Sequence, residues 1–253
     1  MKEQLKYMHS FRDHNLDAPR EIVPHLIKIF KPVSVVDVGC GIGTFLKCFI
    51  DNGVSEIVGI DGPWVDRTKL FIPEKHLMMM NLEERFSLDR RFDMALCLEV
   101  AEHLSESAAD TLVNNLTTLS DLIIFSAATV NQGGQNHLNE QHVNYWIDKF
   151  SKEGFVFYDV FRRFFWNNSK VNWWYKQNMF LVMNQSIDVG SFNFNLPHFT
   201  DIQEYIHPEL FDLQAKSLKG VKRKLDYIQQ GKASRKLYAK IIKKKLLNRF
   251  FKK

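Results

Sequence analysis

Residues 33–43, VSVVDVGCGIG, set Gly39, Gly41 and Gly43 at alternate positions directly behind a β-branched run. A short valine-rich run bounded by glycine reads as a buried strand. Glycine then lets the chain turn sharply and lets its backbone approach a ligand closely. Helical spacing follows from Gly43 to Asn52, and Gly53 closes it. A strand, a bare turn and a helix in that order predict an α/β sheet whose first strand-to-helix turn is a ligand site.

The rest of the chain keeps the alternation. Asp17 stands as an N-cap before a helix over Pro19–Phe30, stopped by Pro32. Strands are expected at Val33–Val38, Glu56–Ile60, His76–Met80, Phe92–Leu98, Asp121–Ala127, Phe155–Phe161 and Met179–Met183. Helices are expected at Ser105–Leu119 and Asn139–Glu153. Seven strands alternating with helices predict a doubly wound, mostly parallel, Rossmann-like sheet covered on both faces.

The glycine turn fits neither common phosphate-binding fingerprint. The dinucleotide pattern needs a third glycine where Thr44 stands, and the P-loop ending G-K-[ST] is absent. Asp61 lies 20 residues past Gly41, at the end of the second strand, where an acid can accept both hydroxyls of a ribose.

Four segments in order carry a resemblance: VVDVGCGIG, IVGIDG, MNLEERF and FDMALCLEVAEHL. Together they resemble the motifs of class I S-adenosylmethionine-dependent methyltransferases, over roughly residues 33–184. The resemblance implies S-adenosylmethionine as cofactor and an antiparallel last strand at Met179–Met183. It implies that Asp37 orients the methionine amino group. Gly39, Cys40 and Gly41 would press backbone against the methionine portion. Asp61 with Gly62 would hold the ribose, and Asn81, Leu82 and Leu98 would border the adenine end. Arg12, in the polar N-terminal stretch Tyr7–Asn15 with His9 and His14, would pair with the cofactor carboxylate.

CLEVAEHL places Glu99, Glu102 and His103 in E-x-x-E-H spacing at the carboxyl edge of the fourth strand. Residues three and four apart on a turn into a helix share a face. Two carboxylates and an imidazole there can bind a divalent cation such as magnesium or manganese. The spacing is similar to that of metal-dependent O-methyltransferases of quinone biosynthesis and of small-RNA ends, which add a further histidine. GGQNHLNEQHVNYW offers His137 in a loop and His142 inside the next helix, so His137 is the better fourth ligand. The metal-free alternative leaves Glu99 on the cofactor, Glu102 as a helix cap, and His103 or His137 as the general base.

Phe161–Gln177, FRRFFWNNSKVNWWYKQ, reads either as core edge with a hairpin loop or as an aromatic wall suited to sugars. With the G-G-x-x-H-x-N-E pattern it resembles, more loosely, methyltransferases of polysaccharide and cell-envelope biosynthesis. Those readings lead to an O-methyltransferase acting on a sugar, a nucleotide-linked sugar or a small phosphorylated precursor. Two alternatives stand beside it: an RNA-end or ribose 2′-O-methyltransferase, and a cofactor-binding scaffold without catalysis.

Charge separates the chain into two parts. Residues 1–215 carry a balance of −9, and residues 216–253 carry +14 with Asp226 as their only acid. An acidic body argues against a nucleic-acid groove. The expected organisation is a methyltransferase domain over 1–207 and a helical, basic extension over 208–253. In the extension Phe211, Ala215, Leu218, Val221, Leu225 and Ile228 form one apolar stripe, between Pro208 in the first turn and Gly231 at the end. That stripe could pack on its own domain or on a second copy as a homodimer. The polybasic end could rest on an anionic membrane. Cys40, Cys48 and Cys97 show no pairing pattern, Met1–Ser10 lacks a signal-peptide core, and no long apolar run exists. A cytoplasmic protein, peripheral on the inner membrane face at most, is the expectation.

Overall fold

The computed structural model describes residues 14–188, 190, 192 and 202–240. The chain divides into two compact units, residues 1–207 and 208–253.

The first unit is built on seven strands: β1 (Ser34–Val38), β2 (Glu56–Asp61), β3 (Leu77–Met79), β4 (Met94–Leu98), β5 (Leu122–Ser126), β6 (Phe155–Tyr158) and β7 (Phe180–Asn184). Their order in the sheet is β3-β2-β1-β4-β5-β7-β6. All neighbours are parallel except β7, which runs antiparallel to both β5 and β6. The doubly wound sheet with its reversed last strand is therefore as expected. β1, β4 and β5 are buried at every position, which is why they read as near-continuous apolar runs.

Helices cover both faces. α1 (Asp17–Phe30) and α2 (Thr44–Asp51) lie on one face, where Ile22, Leu26, Leu46 and Phe49 are buried. α3 (Ala109–Leu119) and α4 (Val143–Lys152) lie on the other, burying Leu112, Leu116, Trp146 and Phe150. Apolar burial of this kind, about 1.5–3 kcal/mol per large side chain, dominates the stability of such a sandwich.

Several boundaries differ from the sequence pattern. The cap of α1 is Leu16, not Asp17, and the Asn15 carboxamide instead accepts the Asp17 N–H at 2.8 Å. α3 begins at Ala109 behind a 3₁₀ turn, Glu106–Ala108. α4 begins four residues late, at Val143, and the stretch before it is tied instead to neighbouring loops, the Asn139 and Gln141 N–H groups donating to the carbonyls of Glu102 and Ala128. His142 thus caps the helix instead of lying within it. The aromatic stretch contains no hairpin loop; it folds as two short helices, α5 (Arg162–Phe165) and α6 (Trp173–Asn178).

In the second unit α7 (Pro208–Gln229) carries the predicted stripe. Gly231, in the left-handed region at φ 71°, ends it, its N–H donating to the Ile228 carbonyl and that of Lys232 to the Tyr227 carbonyl. Among the described residues no helix is long and apolar enough to cross a membrane.

Candidate active site

A cavity of about 600 Å³ opens at the carboxyl edge of β1, β2 and β4, where the strand order reverses. Its size suits a cofactor together with a small acceptor. Asp37, Gly39, Cys40, Gly41, Asp61, Asn81, Leu82 and Leu98 line one part of it. Glu99, Glu102, His103 and His137 line another.

The glycine turn is shaped by what surrounds it. Gly39 sits at φ 84°, and a Cβ there would fall 2.2 Å from the Val100 side chain. Its N–H donates to the Ile60 carbonyl at 2.7 Å, so β2 holds the turn. The Asp61 carboxylate completes the clamp by accepting the Gly41 N–H at 2.7 Å and the Gly62 N–H at 2.6 Å. Gly62 itself is not on the cavity wall; the Trp64 ring lies where its side chain would be. The Cys40 sulfur packs against Gly59, where an added Cβ would fall 2.7 Å from it.

Both carboxylates of this half are buried. Desolvation, with Asp61 nearby, pushes Asp37 up to about 8. Desolvation raises Asp61 to about 6, opposed by the two N–H bonds and the Trp64 indole. Asn81 borders the cavity, but its carboxamide is engaged locally, donating to Glu84 at 2.8 Å and accepting the Glu83 N–H at 3.1 Å. Leu82 is buried beneath it. Arg12 lies outside the described residues, whereas His14 reaches the cavity wall.

The second half assembles side chains from two segments. Glu102 and His103 stand on a 3₁₀ turn, Ala101–His103, directly after β4. The loop carrying His137 is stitched to that turn by the Leu138 and Asn139 N–H groups, which both donate to the Glu102 carbonyl at 2.7 and 3.0 Å. One ligand atom each from Glu102, His103 and His137 then lies within 4.8 Å of the others. The two imidazoles meet edge to face with centroids 4.9 Å apart. His137 Nδ1 pairs with the Glu140 carboxylate at 2.8 Å, and the Gly133 N–H donates to the same oxygen at 2.6 Å. Gly134 packs so closely on the ring that a Cβ would sit 2.1 Å from Nε2.

Glu99 lies beside this trio but outside it. Its backbone is left-handed at φ 55°, a costly conformation for a non-glycine residue that commonly marks a functional site. Its carboxylate accepts amide N–H bonds from Gln132 at 3.1 Å and Asn178 at 3.2 Å. Asn178 also donates to Gln132 at 2.9 Å, so three residues from distant segments form one polar cluster. Burial raises Glu99; burial and the Glu99 charge raise Glu102 well above the usual carboxylate range. Burial and the neighbouring His137 push His103 down to about 4. Glu102 Oε2 is buried without a hydrogen-bond partner among the described residues.

The structure brings together Glu102, His103 and His137, which the sequence singled out, and sets beside them Glu140, Gln132 and Asn178, which it did not. Glu140 stood inside the G-G-x-x-H-x-N-E pattern, three residues from His137, and that spacing was its only signal. Trp173, Trp174 and Tyr175 of α6 close the cavity on one side. His142 does not reach the site; its ring pairs with Glu204 at 2.8 Å.

The family model for a methyltransferase domain matches residues 8–192. Among solved structures, DesVI from Streptomyces venezuelae is similar at 11% identity, over 70% of this chain and 99% of that one, with a TM-score of 0.51. The methyltransferase domain of a bacterial Hen1 is 19% identical over 67% of this chain and 100% of its own, with a TM-score of 0.48. PKMT2 from Rickettsia typhi, in complex with AdoHcy, is 13% identical over 72% of this chain and 56% of its own, with a TM-score of 0.49. No curated protein matches. The family match over most of the chain, the seven-stranded order with its reversed last strand and the clamped glycine turn agree: the chain belongs to the methyltransferase-domain family and is an S-adenosylmethionine-dependent methyltransferase of class I.

Proposed function

We propose that this methyltransferase is an O-methyltransferase that uses a divalent cation, magnesium or manganese, and acts on a saccharide. The acceptor is a sugar, a nucleotide-linked sugar or a small phosphorylated precursor of surface polysaccharide. The observation that carries the reading is the trio Glu102, His103 and His137, converging within 4.8 Å beside the cofactor cavity. Metal–ligand bonds of about 2.0–2.3 Å need donors at this kind of mutual separation. The orphaned Glu102 Oε2 and the Glu140 carboxylate behind His137 are further marks of a cation site. When bound, the cation would polarise an acceptor oxygen and ease its deprotonation.

S-adenosylmethionine supplies a sulfonium-activated methyl group, so the protein's main task is alignment. Asp61 would offer its remaining lone pairs to the ribose hydroxyls, and the Gly39–Gly41 backbone would lie against the methionine portion. Asp37 takes the amino group. Glu99, held by Gln132 and Asn178 and raised by burial, accepts the acceptor's hydroxyl proton. Aromatic faces at Trp173, Trp174 and Tyr175 suit a sugar ring. The acidic body weighs against RNA.

Methyl transfer to sugar nucleotides and to RNA oligomers, with a no-acceptor control, tests the acceptor. Turnover on RNA alone would overturn the saccharide reading. Calorimetry of magnesium and manganese with the cofactor-free protein tests the cation; full turnover in excess chelator, with no heat of metal binding, would leave a metal-free base as the mechanism.

A further inference from the structure

We propose that the apolar face of α7 is a docking surface for an anionic lipid bilayer, on which the helix lies flat. The inference does not depend on the acceptor or the cation. Phe211, Leu218, Val221 and Leu225 fall on one side of the helix at spacings of seven, three and four, and are 66%, 70%, 60% and 51% exposed. Large apolar side chains so aligned and so exposed call for a partner.

Charge identifies that partner. From Pro208 to Lys240 there are nine Lys and Arg against Glu209, Asp212 and Asp226. Lys222 and Lys224 border the apolar stripe, and Lys216, Lys219 and Arg223 share the opposite face with Asp212, Leu213 and Tyr227. An aligned row of exposed apolar side chains with lysines at its borders is the pattern of a helix lying in a membrane interface. The alternative occupant, a second copy of α7, would use the same seven-three-four seam as a coiled coil. Its flanking positions would then set lysine toward lysine or toward uncharged Ser217 and Gln229, with Gln214 in the seam. None of those flanking positions holds an acidic residue to pair with the lysines across such an interface. Lipid phosphates satisfy them instead, each lysine near the surface strengthening the attraction.

The experiment is co-sedimentation of the full-length chain with vesicles of pure phosphatidylcholine and of phosphatidylcholine mixed with phosphatidylglycerol. The chain should partition onto the mixed vesicles and leave them when salt reduces the screening length to ~3 Å. The double variant Leu218→Ser, Leu225→Ser keeps every charge but should bind roughly 100-fold more weakly, about tenfold for each leucine withdrawn from the interface. Equal retention of the variant and the natural chain would overturn the proposal, as would equal binding to neutral vesicles. A dimeric natural chain with a monomeric variant in light scattering, and no vesicle binding by either, would assign the stripe to a second copy instead.

Discussion

Asp37→Asn tests the electrostatics of the cofactor cavity most directly. Asp37 is 4% exposed on β1, and its carboxyl is pushed up to about 8 by burial and by Asp61. An unfolded chain loses the same proton near the ordinary 3.8. Between those two values the folded protein holds a proton that unfolding releases, so stability falls as pH rises. One proton contributes about 1.4 kcal/mol per pH unit. Asp37 should therefore cost the cofactor-free protein roughly 3 kcal/mol more at pH 7 than at pH 5. Asparagine has nearly the same shape and does not titrate, so the variant escapes that loss. For a unit of about 200 residues, 1 kcal/mol corresponds to ~2–4 °C of melting temperature. The variant's Tm should thus rise relative to the natural chain by roughly 6–12 °C between pH 5 and pH 7. The assay is thermal unfolding of both proteins across that range, where titrating groups remote from Asp37 cancel in the difference and the coupled Asp61 titrates with it. Calorimetry with S-adenosylhomocysteine should show the opposite trend, with affinity falling ~10–100-fold for the lost charged bond. A Tm gap that stays constant from pH 5 to pH 7 would refute the argument, because it would mean that Asp37 ionises alike in the folded and unfolded chain.

Three further outcomes follow from the same geometry. Asp61→Ala leaves the Gly41 and Gly62 N–H groups without their acceptor and removes the proposed ribose contact; cofactor affinity in calorimetry should fall by at least ~10-fold, and an unchanged affinity would reject the assignment. Glu140→Gln keeps the shape behind His137 but not the charge, and should weaken manganese binding to the cofactor-free protein by ~10–100-fold. Glu99→Gln should lower kcat by roughly 10²–10⁴-fold in single-turnover assays while sparing S-adenosylmethionine binding, and a natural kcat would remove Glu99 from proton transfer.

The sheet was legible in the sequence because its strands are short apolar runs and its helices show a 3.6-residue period. Both patterns arise from burial of one chain segment at a time. β1, the Gly39 turn and α2 lie consecutively, so a strand, a bare turn and a helix could be read in a line. Glu102 and His103 were legible for the same reason, since one turn after β4 sets both. Boundaries were less legible where tertiary bonds compete with local ones. α4 starts at Val143, and the Asn139 and Gln141 bonds that hold the preceding stretch run across the molecule, where no local pattern records them.

The chemistry of the cavity divides in the same way. Sequence alone determined the sheet, the glycine turn and Asp61 at the end of β2, because each is specified by neighbours along the chain. Only the tertiary structure decided that Glu99 lies beside the trio Glu102, His103 and His137 and not within it. Its carboxylate is drawn to Asn178, 79 residues away, and to Gln132, 33 residues away. Folding likewise decided that Glu140 backs His137, once the loop was stitched to the Glu102 carbonyl. Hydrogen bonds between segments leave no period in the sequence, since either partner alone is an ordinary polar residue until the fold closes the distance.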